Sequence, residues 1–308
     1  MTTDVAPASL RPLTRDQIEN RLRHCPRLPS LSSINNALRE LLGADQRYTS
    51  QVAEIIRRDP SLTARLLRLV NSVYYGLSTP VNNIEEAVFY LGVRQIRQLV
   101  MVTPIIEDFQ RLAGQAPFPW REFWQHCIGT AILTREVIGS MRMPTDEVDY
   151  VAGLIHDVGK IGVAAACPEH FGALYNPSSP SNLHPLQRER QILGMDHTEL
   201  GALYLRNHNL PEALIEVARY HHQPEGASGH TQLVAAVQIA DMLVRHAGIG
   251  KSGNPIPVTD DDWLNASGWG ILFPEGPDPE KAASEKALAR TSLKRSLDRL
   301  PTILEGLV

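Results

Sequence analysis

The pair His156-Asp157 places two types of metal ligand side by side at the polar end of an apolar segment. Imidazole and carboxylate groups together suit a divalent ion such as manganese, iron or zinc. Further residues of these types occur at intervals on both sides of the pair. They are Glu122, His126, His197, His221, His222 and Asp241. The pattern predicts a divalent metal centre, which could be either catalytic or structural.

Each candidate ligand, taken alone, has an ordinary structural explanation. A single histidine in a helical protein more often lies at the surface or in a hydrogen bond than on a metal. Glu122 could be a surface charge, and Asp241 could be a buried acceptor paired with an arginine. Their combination within one helical region, mostly near predicted helix ends, favours the metal centre.

The number of candidates indicates what chemistry the centre could support. Eight ligands are too many for one tetrahedral ion, but they could hold two ions ~3.5–4 Å apart, bridged by Asp157 and a water molecule. Such a pair suits hydrolysis of a phosphomonoester or phosphodiester. Lys160 could stabilise phosphate charge, although it could also cap the carbonyls at a helix end. We therefore take Asp157 and Lys160 as the candidate catalytic residues.

Predicted helices must bring these side chains together, since helical periodicity dominates and no convincing run of alternating strand residues occurs. A helix starting near Arg121 would place Glu122 and His126 on one face. A helix starting near Thr145 would carry His156-Asp157 close to its C-terminal end. The sequence thus predicts an all-α, two-lobed protein.

The remaining ligands also fall at predicted helix positions. Asp196 and Glu199 fit a capping box, which would hold His197 in the first helical turn. A helix opened by Pro211 would end at the tandem histidines. Asp241 lies in an apolar run, where an unpaired carboxylate would be costly.

Glycine, proline and polar clusters suggest four segments. They are a flexible N-terminal tail (1–13), an N-terminal helical lobe (14–115), a metal-site lobe (116–248) and a C-terminal helical extension (249–308) ending in an amphipathic helix over about 279–300. Within the metal-site lobe, residues 167–185 hold four prolines and predict an exposed loop, either a plain connector or a lid.

Composition narrows the class of protein. The 308 residues are 43% hydrophobic and 21% charged, which is typical of a folded soluble chain. The formal net charge of -4 disfavours a nucleic-acid partner. No apolar run approaches the ~20 residues of a membrane span, and no signal peptide is evident. Three widely spaced cysteines form no disulfide framework, so we expect a cytoplasmic protein without a membrane partner.

Two blocks of sequence resemble the HDOD proteins, a branch of the HD superfamily. The first block comprises residues 28–31, 55–72 and 87–92, and the second comprises 153–160, 192–197, 210–212 and 221–222. The run DPSLTARLLRLVNS at 59–72 is the most specific part, and the resemblance covers roughly residues 26–248. It implies an all-helical fold and a role in bacterial signal transduction, through binding of a partner protein or a nucleotide.

The resemblance extends to the related HD-GYP proteins, which hydrolyse cyclic di-GMP at a centre of two or three metal ions. Their ligand pattern maps onto the same eight residues, with Lys160 at the family's lysine position. After His222, however, this chain reads QPEGASGH and lacks the Gly-Tyr-Pro element. This departure counts against cyclic di-GMP hydrolysis more than against metal binding. We therefore expect a signalling module with an HD-type metal centre, with a metal-dependent phosphohydrolase as the alternative.

Overall fold

The computed structural model describes residues 10–24, 118–145, 147–175 and 183–305, and single residues at 70, 81, 86, 87 and 90. This part of the chain contains helices and no strand, so the all-α prediction is confirmed. Most of the predicted N-terminal lobe and residues 1–9 of the predicted tail lie outside the described residues. The segment boundaries therefore stay predictions.

Helices are numbered along the described residues. They are α1 (Arg15–Arg23), α2 (Trp120–Ser140), α3 (Glu147–Ile155), α4 (Val158–Ala166), α5 (Pro168–Leu174), α6 (Pro185–Leu193), α7 (His197–Asn207), α8 (Glu212–Tyr220), α9 (Thr231–His246), α10 (Asp260–Leu264), α11 (Ser267–Leu272) and α12 (Pro279–Glu305), with a 3-10 turn at Pro224–Gly226.

The two central helices are α2 and α9, which pack against each other along their lengths. Both bury side chains around most of their circumference, which is typical of helices at the centre of a core. α3 packs on α2, while α7 packs on both α4 and α8. These contacts bring the ends of α3, α7 and α8 toward the middle of α2 and α9, where the candidate ligands lie.

The C-terminal segment contributes to the same core. α12 packs on α2, and its Leu293 and Leu300 are fully buried. α11 packs on α9, and the indole of Trp263 in α10 is fully buried. The buried apolar side chains between Val258 and Leu304 therefore belong to the same hydrophobic cluster as those of the central helices.

Two glycines allow the closest helix contacts. A Cβ atom at Gly153 of α3 would lie 2.6 Å from Cα of Ala131 in α2. A Cβ atom at Gly159 of α4 would overlap the carbonyl group of His197, with its carbon at 2.7 Å. Real Cβ atoms do not approach backbone atoms so closely, so both contacts require glycine.

Two local predictions need correction. The predicted loop over 167–185 begins with a helix, α5, because Pro168 occupies a first-turn position where its missing N–H costs nothing. Residues 176–182 of that loop lie outside the described part. The helix predicted to carry His156-Asp157 is broken at the pair, which separates α3 from α4.

Among the described residues, no helix combines the length and apolarity needed to cross a bilayer.

Candidate metal centre

The break between α3 and α4 turns His156 and Asp157 into the protein interior, where they are 1% and 2% exposed. Asp157 is the residue immediately before α4, and Lys160 lies in the first turn of that helix. The Lys160 ammonium donates a hydrogen bond to Asp157 Oδ2 over 2.6 Å. This contact places the candidate catalytic Lys160 directly beside the His-Asp pair.

The central helices supply two further ligands. His126 of α2 and Asp241 of α9 are buried, and His126 Nε2 lies 3.1 Å from Asp241 Oδ1. The same carboxylate oxygen lies 3.9 Å from His156 Nε2. The long apolar packing between α2 and α9 thus brings His126 and Asp241 to the α3–α4 break.

The third side of the centre comes from the start of α7 and the end of α8. Asp196 caps α7 by accepting a hydrogen bond from the Glu199 amide, so His197 lies in the first turn as predicted. His221 occupies the C-cap of α8, with His222 next to it. Asp157 Oδ1 lies 3.1 Å from His197 Nε2 and 3.7 Å from His221 Nε2.

Seven of the eight predicted ligands therefore meet in one place. Two groups have ligand atoms close enough to share an ion: His126, His156 and Asp157 form one, and His197, His221 and His222 form the other. Asp241 adjoins the first group. Asp157 lies between the groups, and the ring centroids of His156 and His221 are 5.1 Å apart.

Glu122 is the exception. It lies one turn before His126 on α2, as predicted, but its carboxylate belongs to neither group of converging ligand atoms found in the described residues. The side chain is half-buried, and the Glu122 carbonyl accepts a hydrogen bond from the Lys251 amide. The structure thus places Glu122 beside the centre without joining it to either group.

Hydrogen bonds fix the tautomers of two histidines and the ring orientation of a third. His156 Nδ1 donates to the Gly153 carbonyl over 2.7 Å, and His221 Nδ1 donates to the Val217 carbonyl over 3.1 Å. His197 Nδ1 lies 2.7 Å from a carboxylate oxygen of Glu189. A carbonyl oxygen can only accept, so Nδ1 of His156 and His221 must carry the proton. In the neutral rings, Nε2 then presents its lone pair to the centre, as in histidines that ligate metals.

The electrostatic environment keeps most of these rings neutral. Burial lowers the pKa of His156, and burial with His156 nearby lowers the pKa of His221 to about 3. His197 differs: burial alone would lower its pKa, but the Glu189 and Asp157 carboxylates on either side raise it to about 9. The pKa of Asp157 lies well below its usual range, because Lys160 and His156 outweigh the effect of burial. An ion that binds here must therefore displace a proton from His197.

Buried polar atoms without a hydrogen-bond partner cluster at this point of the described structure. They include Nε2 of His126, His156, His197 and His221, and Oδ1 of Asp157. For His156 and His221 these Nε2 lone pairs face carboxylate oxygens at 3.5 and 3.7 Å, an arrangement of acceptor against acceptor. A cation between them would satisfy both sides, so the donor set fits a divalent metal ion.

Sequence reasoning missed two groups that contact the centre. Glu189 lies within a polar helical run, QRERQ, and looks like a solvent-exposed charge, but it is buried beside His197. The Ser252 carbonyl accepts a hydrogen bond from Lys160 Nζ over 2.8 Å. Neither has a local sequence signal, because each contact depends on how distant segments pack.

A pocket opens beside the centre. Its wall includes four of the predicted ligands, Asp157, His197, His222 and Asp241. Three cationic side chains also line it: Lys160, Arg188 and Arg245. Segment 249–258, which we call the strap, completes the wall through Ser252, Gly253, Asn254 and Pro255. An anionic molecule in this pocket would meet both the metal ligands and positive charge.

Comparison with known proteins agrees with this architecture. The HDOD domain model matches residues 28–224, almost two thirds of the chain. The chain belongs to the HDOD domain family. A Geobacter sulfurreducens HDOD protein of unknown function has a similar structure, with a TM-score of 0.71, 24% identity, and 93% of this chain and 99% of that chain covered.

Two further relatives were found. A Shewanella amazonensis SB2B protein, provisionally named a phosphohydrolase, matches with a TM-score of 0.66 and 21% identity over 95% of this chain and 98% of its own. An uncharacterised Treponema pallidum protein is 27% identical over 74% of this chain. The HDOD chain spans only 44% of that relative's length. At these identities the two structural matches support the fold.

Proposed function

We propose that this HDOD chain is a signal-transduction module built around a divalent metal centre. The observation that carries the proposal is the set of buried, unpartnered Nε2 atoms around the Asp157 carboxylate, of which those of His156 and His221 are unprotonated. Family membership supports the signalling role. A Marinobacter aquaeolei VT8 protein, provisionally named a signal transduction protein, has a similar structure with a TM-score of 0.64 and 19% identity. The match covers 96% of this chain and 63% of that chain.

The two groups of ligands suggest how the ions would be held. His126, His156 and Asp241 would hold one ion, and His197, His221 and His222 would hold the other, with Asp157 shared between them. Mixed imidazole and carboxylate ligands suit manganese, iron or zinc. Such ions supply positive charge that stabilises phosphate oxygens and activates water. Lys160 would hold Asp157 in place through the hydrogen bond to Oδ2.

Metal analysis of the reconstituted protein tests the centre directly. We expect one to two ions per wild-type chain and less than ~0.3 ions per chain for Asp157→Asn, which loses the shared ligand. His156→Ala loses a ligand to the first ion only and should bind about one ion fewer than wild type. His230→Ala removes an exposed histidine outside the centre and should match wild type. Wild-type protein that takes up no manganese, iron or zinc would contradict the metal centre.

Metal removal should also lower stability. A ligand that binds only the folded state at 100 times its Kd stabilises by about 2.7 kcal/mol. Adding Mn²⁺ to metal-free protein should therefore raise the melting temperature, and EDTA should reverse the shift. Asp157→Asn should show no such response, while a shift of equal size in that variant would place the binding site elsewhere.

Metal-dependent phosphoester hydrolysis is the second candidate, and the pocket favours it. Lys160, Arg188 and Arg245 line the same cavity as four of the ligands, so a phosphate group could reach the ions and three cations together. The provisional name of the Shewanella relative points the same way. We would measure turnover of bis(p-nitrophenyl) phosphate with added Mn²⁺. Equal rates for wild type and Asp157→Ala would exclude hydrolysis by this centre.

The same protein can distinguish a signalling ligand from a substrate. Linear nucleotides and cyclic dinucleotides would be titrated into the metal-loaded chain by calorimetry, and each mixture then analysed for products. Binding without turnover supports the signalling module, and binding with turnover supports the hydrolase. If none of these nucleotides binds, the expected signalling ligand is a partner protein.

A further inference from the structure

The geometry points to Glu189 as a positioning residue that fixes His197 for metal binding, an inference that rests on the proposed metal centre. Glu189 does not reach the Asp157 side of the ring. It contacts Nδ1 of His197, the ring nitrogen that points away from the other ligands.

Two contacts join one oxygen of Glu189 to His197. Oε2 lies 2.8 Å from the His197 backbone nitrogen, which donates to it, and 2.7 Å from His197 Nδ1. The first contact fixes the backbone where α7 begins, and the second fixes the rotation of the ring. Together they direct Nε2 toward Asp157 Oδ1, 3.1 Å away.

The short connection between α6 and α7 explains how Glu189 reaches His197. α6 ends at Gly194, which adopts a left-handed conformation with φ of 98°, and α7 begins three residues later at His197. This tight connection places the last turns of α6 against the first turn of α7. The neighbouring Arg190 also reaches across it and pairs with Asp196, the cap of α7.

The second oxygen of Glu189 is held from another direction. Tyr175, just after α5, donates its hydroxyl hydrogen to Oε1 over 3.1 Å. Glu189 is only 4% exposed, so its carboxylate is surrounded by these partners and by the pocket. A buried carboxylate is costly without hydrogen-bond partners, and here the partners are His197, a candidate ligand, and the Tyr175 hydroxyl.

Carboxylates that accept a hydrogen bond from a ligating histidine orient the ring and increase its basicity, and removing them typically costs 10–100-fold in metal affinity. We therefore expect Glu189→Gln to weaken Mn²⁺ binding by about 10–100-fold, because the neutral amide keeps the size of the side chain but not its charge. The d–d spectrum of the Co²⁺-loaded variant should also differ from that of wild type, since the environment of His197 changes.

A matched control separates this effect from loss of one negative charge. Glu169→Gln makes the same substitution on α5, where the carboxylate is 41% exposed and pairs with Arg21. It should leave Mn²⁺ affinity and the Co²⁺ spectrum unchanged. Tyr175→Phe removes only the bond to the other oxygen and should give a smaller loss than Glu189→Gln.

The outcomes are distinguishable from failure of the metal centre itself. Wild-type protein that binds neither Mn²⁺ nor Co²⁺ would overturn the proposed centre. Wild-type binding with Glu189→Gln within twofold of it, and an unchanged Co²⁺ spectrum, would overturn the positioning role alone. If Glu189→Gln does not fold by circular dichroism, Tyr175→Phe decides: unchanged affinity and spectrum in that variant would overturn the role.

Discussion

Individual residues determine how closely α4 approaches α7, and Gly159 is the decisive one. A side chain there would overlap the backbone carbonyl of His197 and approach the Gly201 amide to 2.9 Å. The two helices carry Lys160 and His197 on either side of Asp157. A displacement of α7 would therefore disturb stability and the centre together.

We expect Gly159→Ala to destabilise the protein by about 1–3 kcal/mol or more, through overpacking against backbone atoms that cannot move aside. Urea denaturation of the metal-free protein would measure the change. Gly139→Ala in α2 is the control, because a Cβ there meets nothing within 4 Å. That substitution should be neutral or stabilising by up to ~1 kcal/mol. Equal stability of the two variants would contradict the close helix contact.

The residues of the site differ in how far the sequence alone could predict them. His197 could be placed in a first helical turn, because capping by Asp196 is a local interaction. The break at His156-Asp157 and the burial of Glu189 could not be predicted. Both depend on side chains and backbone brought together from distant parts of the chain, and periodicity carries no information about such contacts.

One helix without a predicted ligand, α11, also supports the centre, through its contact with Gln238 of α9. Its Nε2 donates to the His222 carbonyl over 3.0 Å, and its Oε1 accepts from the Gly268 amide of α11 over 2.8 Å. One side chain thus joins the end of α8 to the C-terminal segment. The family match ends at residue 224, so this support comes from a region beyond it.

We expect Gln238→Ala to cost about 1–3 kcal/mol, because it leaves a buried amide and a carbonyl without partners. The free energy of unfolding from urea titration would test this. Gln232→Ala on an exposed position of the same helix should change stability by less than ~0.5 kcal/mol. A Gln238→Ala protein as stable as this control would show that the two bonds contribute nothing.

An ion-pair cluster joins α10 to α12. Asp260 accepts a hydrogen bond from Lys294 over 2.9 Å, and this bond, together with one from the Trp263 indole, lowers the pKa of Asp260 to about 2. The folded-state pKa is below the unfolded value of 3.8, so this stabilisation is present above that value. It is lost as the pH falls toward 2.

Asp260→Asn should therefore lower stability at pH 7 by up to about 1 kcal/mol, as for other partly exposed ion pairs. The difference from wild type should shrink as the pH falls from about 4 toward 2. Urea titrations at several pH values would measure it. A difference that stays constant over this range would show that the Asp260 charge is not responsible.

At the scale of the whole molecule, the C-terminal helix is part of the main core. The sequence predicted an amphipathic helix near 279–300, and α12 spans Pro279–Glu305. Periodicity predicted that the helix has an apolar face, but the surface of α2 on which it packs could be seen only in the structure. Leu300 lies against Gly129 of α2, where an added Cβ would meet Leu300 Cδ2 at 3.4 Å, an ordinary contact distance.

We expect Leu293→Ala to destabilise the protein by about 2–5 kcal/mol, because it leaves a cavity at a fully buried position. Leu288→Ala on the same helix removes a side chain that is 60% exposed and should change stability by less than ~0.5 kcal/mol. Thermal and urea unfolding of both variants would test the assignment. Equal effects would show that α12 does not form part of the core.

The strap of residues 249–258 supplies a wall of the pocket but none of the predicted ligands. Two of its hydrogen bonds hold it beside the centre: the Lys251 amide donates to the Glu122 carbonyl, and Lys160 donates to the Ser252 carbonyl. Under the proposed function, the ligands of the centre and this part of the pocket wall would thus come from separate stretches of chain. A change in the length or composition of the strap near Asn254 would alter which molecule fits the pocket, while every imidazole and carboxylate of the centre stays in place.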